Sequence, residues 1–154
     1  MKRLFILTSV IILAAAFSFC SDEYSNNNVS TITFKLDGVQ KTFTSVAVKQ
    51  DINSEEQHAW QEITASVNKK NSGNEMVYFE VENGYTGSDS LDGFFYSTDN
   101  TAYSMGWDAF TSAATVNNAT QLEGTFSGTV KRFNTNTQQN ENHVITNGSF
   151  TIVK

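Results

Sequence analysis

The chain has 154 residues, a formal net charge of −6, one cysteine and no proline. An acidic chain repels phosphate backbones, which excludes nucleic acid as a natural partner, and it offers no basic patch for docking on anionic lipid. Its length suits one domain with a real core.

The N-terminus reads as an export segment. Lys2 and Arg3 precede thirteen uncharged residues, Leu4 to Ala16, the basic and apolar regions of a secretory signal peptide. The run reaches only seventeen residues if extended to Cys20, short of the roughly 20 that a spanning helix needs. Two processing routes are open. Ala14-Ala15-Ala16 offers cleavage before Phe17. Phe17-Ser18-Phe19-Cys20 resembles a bacterial lipobox, with Phe19 bulkier than the usual small residue. A lone cysteine in an exported chain has no internal disulfide partner, and lipidation accounts for it. The residues after it, Ser21, Asp22 and Glu23, resemble the export signal that sends Bacteroidetes lipoproteins to the cell surface. The expected organisation is a signal peptide over 1–19, a lipidated tether over 20–29 and a folded domain over 30–154. Removing 1–19 takes away Lys2 and Arg3 and no acid, which moves the net charge from −6 to −8.

The domain opens with strict alternation. Ile32, Phe34 and Leu36 face one way in "TITFKL", and Asp37-Gly38 then predicts a type I′ hairpin turn. The return strand begins with Val39, Lys41 and Phe43. The apolar parity shifts to Val46 and Val48, which predicts a bulge near Thr44-Ser45. The stretch 51–58 lacks a period of two and reads as a loop, or as one helical turn capped by Ser54. Alternation returns in "WQEITASV" (60–67) and "MVYFEVE" (76–82). "NGYTGSDSLDG" (83–93) is turn chemistry. "FFYS" (94–97) and "AYSMGW" (102–107) predict a strand pair. "LEGTFSGTV" (122–130) and "VITNGSFTIV" (144–153) flank a polar Asn/Gln loop (133–143). About eight strands without a long helix predict an all-β fold, an antiparallel β-sandwich or a small barrel.

"GTFSGTV…VITNGSFTI" and "FKLDGVQKTF" resemble the C-terminal signature and first hairpin of small, uncharacterised Bacteroidetes surface lipoproteins with a β-sandwich domain. The resemblance spans residues 30–154 and rests on turns and core positions. It implies the fold and the anchored location, and brings no catalytic or ligand signature with it.

Candidate chemistry is sparse. "GTFSG" (124–128) lacks the nucleophile-elbow spacing, no H-E-x-x-H is present, and the chain implies no cofactor or metal. His58 and His143 fall in predicted loops and read as solvated side chains. Asp89 and Asp92, with Asp99 and Asn100 nearby, are hard oxygen ligands of the kind calcium takes, but the order of a calcium loop is missing, and a hydrogen-bonded turn explains them equally. Glu80 and Glu82 share a strand face, either as a glycosidase-like carboxylate pair or as the wet side of a sheet. Seven aromatics crowd into 85–110. Phe94, Phe95 and Tyr96 are consecutive, so at least one must face solvent. Tyr96 and Trp107 are the preferred candidates for a ligand-stacking platform, against the alternative that both are core.

The expected function is a non-enzymatic, surface-anchored binding or interaction module, with a glycan or an envelope protein as partner. The alternatives are a purely structural envelope protein and a hydrolase using Glu80, or Asp89 with Asp92. An exposed aromatic platform favours the first, a fully buried aromatic set the second, and convergent carboxylates in a concave pocket the third.

Overall fold

A computed structural model describes residues 29–53, 58–67, 75–99 and 101–154, without the side chains of residues 52, 53, 58 and 107. The segment carrying Cys20, Ser21, Asp22 and Glu23 lies outside the described residues, as does 54–57. The domain is all-β and antiparallel, as its alternation predicts. The strands are β1 (Thr31–Leu36), β2 (Val39–Phe43), β3 (Ser45–Asn53), β4 (His58–Ser66), β5 (Met76–Glu82), β6 (Gly87–Ser88), β7 (Asp92–Thr98), β8 (Thr101–Asn117), β9 (Gln121–Asn134) and β10 (Gln139–Val153).

They form one sheet in the order β2-β1-β10-β9-β8-β7-β5-β4-β3, with β6 attached to β8. The two ends of this sheet, β2 and β3, are separated in the chain by Thr44 alone. A sheet whose edges are one residue apart must curl round on itself. The result is an up-and-down barrel, closed by a single bent run: β2 pairs with β1, and β3 pairs with β4. Counting that run as one strand and leaving out the two-residue β6 leaves eight strands in the wall. The parity shift expected as a bulge at Thr44-Ser45 is therefore a seam. The chain leaves one sheet edge and joins the other, and Val46 and Val48 then pack on the core from the new position.

An eight-stranded barrel has an interior just wide enough for side chains to fill. Here aromatic rings fill it. Phe34 of β1 meets Tyr96 of β7 edge-on at 6.0 Å, and Phe79 of β5 meets Phe150 of β10 at 5.4 Å. Neither pair of strands is adjacent in the sheet, so both contacts cross the lumen. Outward positions on β1, β9 and β10 carry Thr31, Thr33, Thr125, Ser149 and Thr151. Apolar inside and hydroxylated outside is the reverse of a membrane-spanning barrel.

The Asp37-Gly38 turn forms as expected, with φ of 49° and 84° at its two residues. The polar stretch 133–143 is a correction. It is the tip of the β9–β10 hairpin, with Gln139 opposite Asn134 and His143 opposite Val130. Asn and Gln are poor strand formers in isolation, but ladder hydrogen bonds to a partner strand override that preference. His58 and His143 consequently sit on strands, not in loops.

Candidate functional site

One irregular region of the wall lies around β7 and β8. β7 pairs with β8 only over Phe95–Thr98, so its first residues, Asp92 to Phe94, have no partner on that side. On its other edge β8 shifts register against β9 between Met105 and Phe110. The wall parts there, and the 83–91 loop covers the gap. Gly87 and Ser88 pair with Ala114 and Ala113 of β8. Asp89 N donates to Ser112 O at 2.7 Å, and Leu91 N donates to Ser112 Oγ at 3.0 Å. Asn117 Nδ2 donates to the carbonyls of Glu82 and Tyr85, both at 2.9 Å. Asp89 accepts a left-handed backbone, φ 54°, to make the return, a conformation Asp tolerates better than most residues.

A cavity of about 330 Å³ lies behind this loop. It is lined by the aromatic residues Trp60, Tyr85 and Phe110 and the acidic residues Glu82, Asp89 and Asp92, with Trp60 paired to Glu82 across β4 and β5. Leu91 and Met105 add apolar surface, Ser90 and Ser112 add hydroxyls, and among the described residues no Lys or Arg lines it. Ser90 is only 3% exposed and its Oγ has no hydrogen-bond partner among the described residues. A buried hydroxyl left unpaired costs free energy, and this one borders an open space.

The residues singled out from sequence are distributed unevenly. Asp89 and Asp92 meet at this cavity. Asp99 does not join them: it follows the far end of β7, roughly 20 Å away at strand rise. Asn100 lies outside the described residues. Among those residues, no group of three His, Cys, Asp or Glu is placed to hold a metal ion. Glu82 lines the cavity, but Glu80 does not. Glu80 sits on the outer face opposite Glu62 of β4 and Asp92 of β7 and accepts a hydrogen bond from the Tyr78 hydroxyl. Burial first, and this carboxylate second, push that hydroxyl well above its ordinary value. Glu80 and Glu82 share the outer face of β5, as the sequence predicts, but only Glu82 lines the cavity.

Tyr96 is a correction. It is 1% exposed, packed between Phe34 and Tyr103, and cannot serve as a stacking platform. The register puts Phe94 and Tyr96 inside, so Phe95 is the outward member of the three, at 41% exposed and beside the Tyr78 ring. The Trp107 side chain lies outside the described residues. His143 is paired with Asp37 at the opposite end of the barrel.

Sequence reasoning missed Trp60, Ser90 and Ser112. The signal at Trp60 was present: it shares the outward parity of Glu62, where a large apolar ring is out of place. Ser90 carried no signal, because a serine in a turn-rich stretch is ordinary.

Fold and site together define a filled, up-and-down β-barrel with one small acidic-aromatic cavity in its wall. No protein-family model, curated protein or solved structure matches the chain.

Proposed function

We propose that the domain is a non-enzymatic binding module of the cell surface, tethered by a lipid on Cys20, and that its ligand occupies the cavity under the 83–91 loop. The observation that carries the reading is Ser90 Oγ, buried, unpartnered and at the cavity wall. A ligand donor or acceptor supplies the missing bond. The cavity volume falls at the lower end of the range of small-molecule sites, which run from about 300 Å³ upward and combine apolar walls with a few polar groups.

Catalysis is the second reading, favoured by the presence of Asp89 and Asp92 in one cavity. Catalytic carboxylates are held in place by supporting hydrogen bonds. The side chains of Asp89 and Asp92 receive none from the described residues, which favours binding. A purely structural role leaves the cavity without a purpose.

The anchor has its own test. Cys20 should incorporate radiolabelled palmitate, and Cys20→Ala should abolish labelling; normal maturation of that variant would mean cleavage at Ala16. Proteinase K added to intact cells should digest the domain, and replacing Asp22 and Glu23 by Ala should protect it. For the cavity, the full chain in mild detergent is screened by NMR against a panel of small sugars and amines. Shifts confined to the amides of Trp60, Ser90 and Leu91 are expected. A panel that leaves these amides unmoved overturns the binding reading, and turnover of a bound compound overturns the non-enzymatic one.

A further inference from the structure

The bent run that closes the barrel leaves one strand edge open. β2 takes its partner on one side, from β1, and β3 takes its partner on the other, from β4. The remaining edge of β3, over Ser45–Asn53, has no partner strand among the described residues. The effect is visible rung by rung. Val46 stands opposite Ala65 of β4, Val48 opposite Ile63, and Gln50 opposite Gln61. Ala65, Ile63 and Gln61 are fully buried, whereas Val46 and Val48 are only partly buried and Gln50 is exposed. All six share the inward parity. The β3 members lack the neighbouring strand that would cover them.

We infer that a second copy of the chain pairs with this edge, β3 against β3, antiparallel about a two-fold axis at Gln50. An unpaired edge is a template for another strand, and the charges of β3 select which one. With the axis at Gln50, Lys49 stands opposite Asp51 of the second copy, and Asp51 stands opposite its Lys49. The contact is self-complementary, as a two-fold interface must be. Val48 falls opposite position 52 in the same register. With the axis at Lys49 or at Asp51, like charges stand face to face, which is destabilising. With the axis at Val48, Lys49 meets Ala47 and Asp51 meets Ser45, and no charges match. Half-residue shifts are excluded, because they set the inward face of one copy against the outward face of the other.

A lysine on an edge strand also guards against pairing. Lys49 guards only against the registers that bring like charge to it, and the Gln50 axis brings the opposite charge. Lys49 Nζ already donates to both carboxylate oxygens of Glu62, each at 3.1 Å. An ammonium has three donors, and the side chain is 70% exposed, so a second carboxylate can approach. The paired segment is short, residues 47–53, and contacts below about 1,200 Å² belong to the weak, transient class. Chains tethered in one membrane, as proposed above, meet at raised effective concentration, where a weak contact suffices. The inference stands apart from the cavity.

Gln50→Cys is the direct test. Residues opposite one another in an antiparallel pair have Cα atoms about 4.5–5.5 Å apart, within disulfide range. The full chain carrying this change, in mild detergent, should form a covalent dimer under gentle oxidation. The unaltered chain, whose only cysteine is Cys20, sets the background. Lys49→Cys by itself should stay at that background, while a mixture of Lys49→Cys and Asp51→Cys chains should cross-link. Sedimentation in density-matched detergent should give a monomer–dimer equilibrium that weakens as salt is raised. Lys49→Glu should weaken it several-fold, and Lys49→Glu with Asp51→Lys should restore it. A Gln50→Cys chain that does not exceed the background overturns the inference. So does equal cross-linking of Lys49→Cys by itself, which would mean another register. A monomer whose β3 amides resist hydrogen exchange along this edge would mean that the chain's own N-terminal segment covers it, and overturns the inference too. None of these outcomes bears on the cavity reading.

Discussion

Gly124 of β9 stands directly opposite Phe150 of β10, and the Phe150 ring lies where a Gly124 side chain would be. Two positions along, the arrangement is reversed: Phe126 of β9 covers Gly148 of β10. The two rings stack with centroids 6.4 Å apart. Each glycine exists to admit a ring against bare backbone, which is how the barrel interior takes so many aromatics. A Cβ on Gly124 would lie 2.3 Å from Phe150 Cζ and 2.3 Å from the Ala113 carbonyl oxygen. Gly124→Ala should therefore destabilise by about 1–3 kcal/mol or more, the range of overpacking. Removing the ring as well, in Gly124→Ala with Phe150→Ala, should not rescue it, because the carbonyl remains. Urea unfolding midpoints of these two variants and of Phe150→Ala alone check this; an unchanged midpoint for Gly124→Ala would contradict the packing described.

Tyr96 and Phe95 are neighbours in sequence and opposites in environment. Tyr96→Ala removes a ring from the lumen and should cost about 3–5 kcal/mol, as for other large core aromatics. Phe95→Ala removes an outward ring and should cost less than about 1 kcal/mol. Thermal melts of both, side by side, test the register of β7. Reversed costs would mean that β7 is flipped by one residue.

Gln61 is fully buried in the lower part of the barrel, where its Nε2 donates to Asn83 Oδ1 at 2.8 Å and to Asn117 Oδ1 at 3.0 Å. Asn117 in turn holds the cavity loop through two carbonyls. Gln61→Leu keeps the volume but leaves those acceptors without this donor. The expected loss is about 1–3 kcal/mol, with faster hydrogen exchange at the Asp89 and Leu91 amides. Exchange unchanged there would separate the Gln61 network from the loop.

Asp37 ties the first turn to β10, with His143 Nδ1 at 2.6 Å and Val144 N at 2.8 Å. The His143 hydrogen bond first, and the Val144 amide second, hold its carboxyl below the ordinary 3.8. A carboxyl lowered by folding contributes stability above its unfolded value and loses it as pH falls through its folded value. The sensitive window is thus below about pH 4. Asp37→Asn preserves the left-handed turn and should be less stable than the unaltered chain near pH 6, with the gap narrowing near pH 3. Urea midpoints across that range measure it. A gap that widens in acid would assign the wrong sign to the pair.

Much of the barrel was legible without coordinates, because its information is local. The alternation of Ile32, Phe34 and Leu36 marks a strand with one buried face, and Asp37-Gly38 marks its turn, because few residue pairs accept two positive φ angles. The same local logic showed that Phe94, Phe95 and Tyr96 cannot share a face. It did not show which one turns outward, because that depends on which residues of β5 and β8 they meet. The seam at Thr44 was beyond reach for the same reason. A shift of parity has the same appearance whether a strand bulges or changes edges, and only the position of β4 relative to β1 distinguishes them. The 133–143 stretch looked like a loop because its side chains are polar, yet a ladder is built from backbone groups and does not require apolar ones. The cavity was the least legible of all. Trp60, Tyr85, Asp92 and Phe110 come from separate parts of the chain and meet only where β7 leaves β8, and the unpaired hydroxyl of Ser90 acquires meaning only once closure of the barrel has taken it out of water.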